Sequence, residues 1–436
     1  VREVDYTPLR DERVNSKIEQ ELKIVCEEIL KVVKPISIIL FGGFGRGEGS
    51  AQIVDGKIIL SKDYDVLLVV KKRLPPSTIY QLSENIHRRL GQSNPLDDVT
   101  MRMGSGVSLV QYTLSDLLNF RDCKTYEIKA ASKLLWGEDI RKRIPLKPED
   151  LSPWNGIRFL LRKPPGLCAA FSPKYLKEPP TGEEKKTLIH ECLRVYLDSG
   201  VLLTILMKNY KPTYRERAKA IKESFNNSLP ELAKEIPDLP EKIEFLTNLK
   251  LFPSEEKYRA IDPVEFWFET RRDLGIILRY FMEKYKRQKA EGWIDLFEKY
   301  RQMMDKEFVD ELAFFYLKNR FKIANKILAR LANIAYQRLF CLKYALKLYR
   351  KEHVFLLSAL FSFPTFRIST SGLMLLFSLR RDGSIDKDLF EAFIQSLSKI
   401  YPVKIRSKED WEMWEEGVNH YIRADRTFLD TFYAWG

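Results

Sequence analysis

Two aspartates one residue apart, Asp63 and Asp65, follow a glycine-rich turn, Gly42-Gly43-Phe44-Gly45-Arg46-Gly47, that itself ends an apolar run. Carboxylates are hard oxygen ligands, and a pair of them can share divalent cations that hold a triphosphate and polarise its phosphorus. Residues i and i+2 of a strand share a face, so Asp63 and Asp65 are expected to point one way and Tyr64 and Val66 the other, into the core. Without side chains, Gly42 and Gly43 let backbone N–H groups approach phosphate oxygens closely. Arg46 offers a planar fork for two hydrogen bonds to a phosphate. Ser50 reads either as a further phosphate contact or as a cap on the next element. Glu48 reads either as a metal or ribose contact or as a capping or ion-pairing group.

These residues need elements to hold them. Ile18, Leu22, Val25, Ile29 and Val33 recur at helical spacing, which predicts a helix over 14–33 ended by Pro35. A buried strand is expected over 36–41 and a second over 66–70, with a small hairpin at 52–61 around Asp55-Gly56. A helix over 79–90 follows, then strands over 99–103 and 107–113 and helices near 114–120 and 125–136. From residue 154 the periodicities are helical, over 156–162, 183–208, 213–225, 263–287, 291–318, 320–350, 353–362, 371–380, 386–400 and 408–433. Proline clusters at 164–165, 173–180 and 229–240 read as breaks. The expected fold class is α+β: a small mixed sheet flanked by helices, then a large all-α region. The expected domains are 1–148, catalytic, and two helical ones, 149–290 and 291–436.

The string Leu40-Phe41-Gly42-Gly43, with Asp63-Tyr64-Asp65 after it, resembles the signature of the DNA polymerase β-like nucleotidyltransferase superfamily. Its extension Gly42-Gly43-Phe44-Gly45-Arg46-Gly47-Glu48 is similar to the variant in uridylyltransferases of nitrogen signalling. The resemblance covers roughly residues 36–113. It implies transfer of a nucleoside monophosphate from an NTP to a hydroxyl, with pyrophosphate leaving and two Mg2+ (or Mn2+) ions assisting. Gly42, Gly43, Arg46 and Ser50 would then contact the triphosphate, and Asp63 and Asp65 the metals. The family's third carboxylate is assigned to Asp98, with Asp97 as the alternative; another alignment, through Val107-Ser108-Leu109-Val110, puts Ser108 at that position. The gap between Gly43 and Asp63 is longer than the family's usual one, so 52–61 reads as an insertion.

The 436-residue chain carries a net charge of +13, almost all of it after residue 150. Between Glu311 and Glu352 there is no acidic residue, and lysines and arginines alternate with Phe321, Tyr336, Phe340, Tyr344 and Tyr349. RNA or another polyanion is one expected partner of residues 318–351, since cations follow a phosphate backbone and aromatics stack on bases; an amphipathic helix pair with solvated lysines is the other reading. The cluster Tyr210-Lys211-Pro212-Thr213-Tyr214-Arg215-Glu216-Arg217 reads as a helix start capped by Thr213. The five cysteines form no CxxC pair, no apolar run reaches the roughly 18 residues that span a bilayer, and the first residues lack a signal-peptide core. A cytoplasmic protein is expected. The four histidines include no His-Asp pair, so the phosphohydrolase domain that accompanies the uridylyltransferases is not expected here.

Overall fold

A five-residue run in which every side chain is buried, β1 (Ser37–Phe41), lies at the centre of the N-terminal sheet. The computed structural model describes residues 5–60, 63–91, 106–312, 326–354, 356–361 and 363–433. After β1 the chain makes one helical turn, α2 (Gly42–Gly45), preceded in sequence by the helix α1 (Glu12–Val32). The hairpin β2 (Ala51–Val54) and β3 (Lys57–Leu60) turns through Asp55 and Gly56, both with positive φ. Next come β4 (Tyr64–Val70), α3 (Pro76–Leu90), β5 (Val107–Thr113), α4 (Leu114–Asn119), α5 (Cys123–Ala131) and β6 (Lys133–Gly137).

The four-stranded sheet has the order β5-β4-β1-β6. β1 pairs antiparallel with both β4 and β6, whereas β4 and β5 are parallel. Strands covered on both faces read as unbroken apolar runs, which is why β1 and β4 were legible. On one face Ile38, Leu40, Tyr64, Val66 and Leu68 pack against Val14, Ile18, Leu22, Val25 and Ile29 of α1 and against Leu82 and Ile86 of α3. Each fully buried aliphatic side chain contributes about 1.5–3 kcal/mol. The α3–β5 junction is fixed by His87: Nδ1 donates to the Ser83 carbonyl at 2.7 Å, and Nε2 accepts the Val107 N–H at 3.0 Å.

Three expectations need correction. Residues 133–137 are not the end of a helix but an edge strand, because Ile39 and Leu40 of β1 take Leu134 and Lys133 as ladder partners. The prolines at 164, 230 and 240 do not break helices; they begin them, where a missing N–H costs nothing. Among the described residues of 353–362, the only helical element is a 3-10 turn, Leu357–Leu360. The strand expected over 99–103, with Asp97 and Asp98, lies outside the described residues.

The chain falls into two units. The first comprises Val1–Ser152, Thr204–Ser224 and Thr247–Pro253; the second comprises Pro153–Leu203, Phe225–Leu246 and Ser254–Gly436. The division at 148/149 is thus set beside a first unit that also takes two later segments, and 290/291 falls inside the second. The remaining helices are α6 (Trp154–Leu160), α7 (Pro164–Ala170), α8 (Gly182–Leu206), α9 (Tyr214–Ser228), α10 (Pro230–Glu235), α11 (Leu239–Leu251), α12 (Glu255–Arg259), α13 (Pro263–Tyr280), α14 (Trp293–Leu312), α15 (Lys326–Glu352), α16 (Pro364–Ser378), α17 (Lys387–Leu397) and α18 (Asp410–Tyr433). In the second unit α16 is buried nearly all round, as a central helix must be. Phe171 stacks on Trp267 at 4.0 Å between centroids, and the Trp267 and Trp414 indoles donate to the carbonyls of Leu167 and Leu375. The architecture is α+β.

Candidate functional site

Phe41 faces Asp65 across β1 and β4, and Asp65 faces Ser108 across β4 and β5. Partners in a ladder share a face, so Phe41, Asp65 and Ser108 lie together on the side opposite the α1–α3 core. Gly42, the next residue, has φ +65°, in the left-handed region. A Cβ on it would lie 1.9 Å from Asp65 Oδ2. Only glycine fits, for both reasons at once. Gly43 is different: a Cβ there would meet nothing closer than the Glu48 carbonyl at 3.5 Å. Asp63 is half-buried and stands one residue before β4, so the strand brings only Asp65 into the ladder. Ser50 is half-buried just before β2.

Arg46 does not present its fork outward. Its side chain is 9% exposed, with Nη1 2.6 Å from Glu127 Oε2, Nε 3.5 Å from Glu48 Oε2, and the guanidinium 5.0 Å from the Tyr214 ring centroid. Glu127 and Tyr214 come from far along the chain but within the first unit. Arg217, also buried, donates to Glu127 Oε1 at 3.2 Å, and the Tyr210 hydroxyl donates to the same oxygen at 2.7 Å. Burial alone disfavours charge on Arg46, and the Glu127 and Glu48 carboxylates and the Tyr214 phenol outweigh it, holding the arginine more firmly protonated than usual. Burial likewise pushes the Glu127 carboxyl up, and Arg46 and Arg217 pull it further down, so it stays ionised. Glu48 Oε2 and Oε1 accept the N–H groups of Tyr214 and Arg215 at 2.9 and 3.0 Å. The carboxylate therefore sits on the N-terminus of α9, where an anion is favoured. Thr213 caps the same helix, its Oγ1 accepting the Glu216 N–H. The Arg46-Gly47-Glu48 string thus anchors the glycine turn to α9, and Lys133 Nζ adds a hydrogen bond to the Gly45 carbonyl at 2.9 Å.

One cation near the aspartate has no signal in the sequence. Lys124, on α5, lies 4.6 Å over the Phe41 ring and 5.7 Å from that of Tyr112, within cation–π range. Burial pushes its ammonium below the ordinary lysine range, while Asp65, Asp122 and Glu127 act in the opposite sense. No spacing rule joins residue 124 to residues 41 and 65; only the return of α5 beside β1 does so.

Among the described residues, no three His, Cys, Asp or Glu side chains are gathered where they could hold a metal ion. Asp63 and Asp65 offer two carboxylates of the oxygen type that hard cations such as Mg2+ or Mn2+ prefer, and the Asp65 carboxylate packs in the space that a side chain on Gly42 would fill. By the chemistry of their donors, these two carboxylates suit a divalent cation. On β5, the residue in register with Asp65 is Ser108; Asp98 lies outside the described residues. No helix among the described residues is long and apolar enough to cross a membrane. Comparison with protein-family models, with curated proteins and with solved structures returns no match for this chain.

Proposed function

We propose that the first unit binds a nucleoside triphosphate with Mg2+ and transfers its nucleoside monophosphate to a hydroxyl of a small-molecule or protein acceptor. The observation that carries this reading is the packing of the Asp65 carboxylate on left-handed, side-chain-free Gly42 at the end of β1, with Asp63 two residues earlier. Two carboxylates beside a glycine turn are the kind of donor set that a metal–triphosphate requires. The bound ions would neutralise the phosphates and polarise the α-phosphorus. Gly42 and Gly43 would let the main chain approach the phosphates, and Asp63 and Asp65 would orient the ions. Lys124 would supply a fixed positive charge beside Asp65. Arg46 takes no part in phosphate contact; it holds the turn in place through Glu127. In the transfer, the acceptor oxygen bonds to the α-phosphorus, the bond to the bridging oxygen breaks, and pyrophosphate leaves with those electrons. Asp98 is the expected acceptor of the hydroxyl proton.

The test is transfer from labelled NTPs to an acceptor pool, with pyrophosphate release measured for the wild type and for Asp63→Ala/Asp65→Ala. Release that the double variant loses supports the reading; equal release from both overturns it.

Ser108 in register with Asp65 favours a second reading, in which the unit binds nucleotide without turning it over. Under it, NTP binding is measurable and falls in the double variant, while no pyrophosphate appears. An RNA end as acceptor rests only on the basic stretch at 318–351.

A further inference from the structure

The helix α15 shows solvent a stripe that neither a core helix nor a plain solvated face explains. Phe340, Cys341, Tyr344, Ala345 and Leu348 are buried against the rest of the second unit. On the opposite side Leu339, Leu342, Leu346 and Tyr349 are 43–57% exposed. At 3.6 residues per turn these four fall within a wedge about 80° wide, and Leu331 continues it, giving a stripe about 27 Å long. Arg338 flanks the wedge on one side and Lys343 and Arg350 on the other. Leu357 and Phe361, in and after the following 3-10 turn, are 66% and 67% exposed, and Arg338 joins them to the helix: it donates to the Leu360 carbonyl at 3.0 Å and lies 5.3 Å over the Phe361 ring. Contiguous exposed apolar surface of this kind, rimmed by charge, marks an interaction site.

We propose that this face of α15 is a docking surface for an anionic lipid bilayer. The helix would lie in the interface, its leucines and Tyr349 among the acyl-chain boundary and Arg338, Lys343 and Arg350 against the lipid phosphates. Charge complementarity selects this occupant. From Arg338 to Lys351 there are five cations and no acid, and of these Lys347 and Lys351 are shared with Asp430. RNA would use the cations and not the leucines, because an aliphatic side chain has no π-face on which a base can stack. A second copy docked about a two-fold axis would set these basic flanks against one another, with no acidic residue on the helix before Glu352 to pair them. The proposal stands apart from the nucleotide site.

The test is co-flotation of the full chain with phosphatidylcholine vesicles, with and without phosphatidylserine, beside solution mass and binding to a single-stranded RNA. Leu342→Glu/Leu346→Glu removes the apolar stripe; Lys343→Glu/Arg350→Glu reverses the flanks. All four side chains are exposed, and unchanged melting curves check the fold. Flotation that requires phosphatidylserine, weakens with salt, and falls about tenfold or more in each variant supports the proposal. No flotation with either vesicle overturns it. So does flotation that both variants retain. A dimer dissociated by Leu342→Glu/Leu346→Glu, without vesicle binding, assigns the stripe to a second copy and overturns it. RNA binding lost with the charge variant and kept by the leucine variant, without flotation, does the same for RNA.

Discussion

At Gly42 a single methyl group meets two obstacles, a left-handed backbone and the Asp65 carboxylate. Gly42→Ala is expected to cost about 1–3 kcal/mol in denaturant unfolding and to weaken nucleotide binding, while Gly43→Ala, which meets only ordinary contacts, changes either little. Lys124 gives a pH signature. Its folded-state pKa lies below the ordinary value of 10.5, so the unfolded chain binds the proton more readily. The charge therefore destabilises the fold at neutral pH, and that cost fades as pH rises toward the ordinary lysine value. Lys124→Met is expected to melt higher than the wild type at pH 7, with the gap closing in alkali, and to bind NTP less tightly. A melt that falls at neutral pH would refute the assignment. Glu127 has the opposite sign. Its depressed carboxyl contributes stability that is complete above the ordinary value of 4.5 and is lost as pH falls through its folded pKa. Glu127→Gln leaves two buried guanidinium groups without their shared carboxylate and is expected to cost about 3–5 kcal/mol at pH 7; thermal melts would also show a flatter acid limb.

At the scale of elements, the sequence resolved what is periodic and local. The apolar runs of β1 and β4, the Asp55-Gly56 hairpin and the α1 stripe all announce themselves within a few residues. β6 does not: Lys133-Leu134-Leu135-Trp136 continues a helical pattern, and only its pairing with β1 makes it a strand. The candidate site divides in the same way. Gly42 and Asp65 were legible because each sits at a strand end. The inward turn of Arg46 was not, since its carboxylate partner Glu127 lies 81 residues on. Lys124 was hidden for the same reason. Glu48 carries a prediction at this scale. Removing its carboxylate takes two acceptors from the first turn of α9, so Glu48→Ala is expected to cost about 0.5–2 kcal/mol and to speed amide exchange at Tyr214 and Arg215. Unchanged exchange there would show that Thr213 alone caps the helix.

Taken whole, the molecule assembles its first unit from segments far apart in the chain. Glu48 is 166 residues from the N–H group of Tyr214 that it caps, and Arg46 and Glu127 are enclosed by Tyr210, Tyr214 and Arg217. A chain ended after Ser152 lacks all three, and leaves a charged pair and an unused cap. It is expected to lose a sharp melting transition, in contrast to what a boundary placed at residue 148 suggests. A chain ended after Pro253 retains the three segments of the first unit and is the better test of nucleotide binding. The same arrangement sets a clock during synthesis. At about 5–20 residues per second the ribosome needs about 10 to 30 s to deliver Tyr214 after Glu48 has emerged. Throughout that interval the glycine turn has no anchor on α9. The nascent polypeptide therefore emerges with its glycine turn untethered, and gains that tether only once Tyr214 has followed.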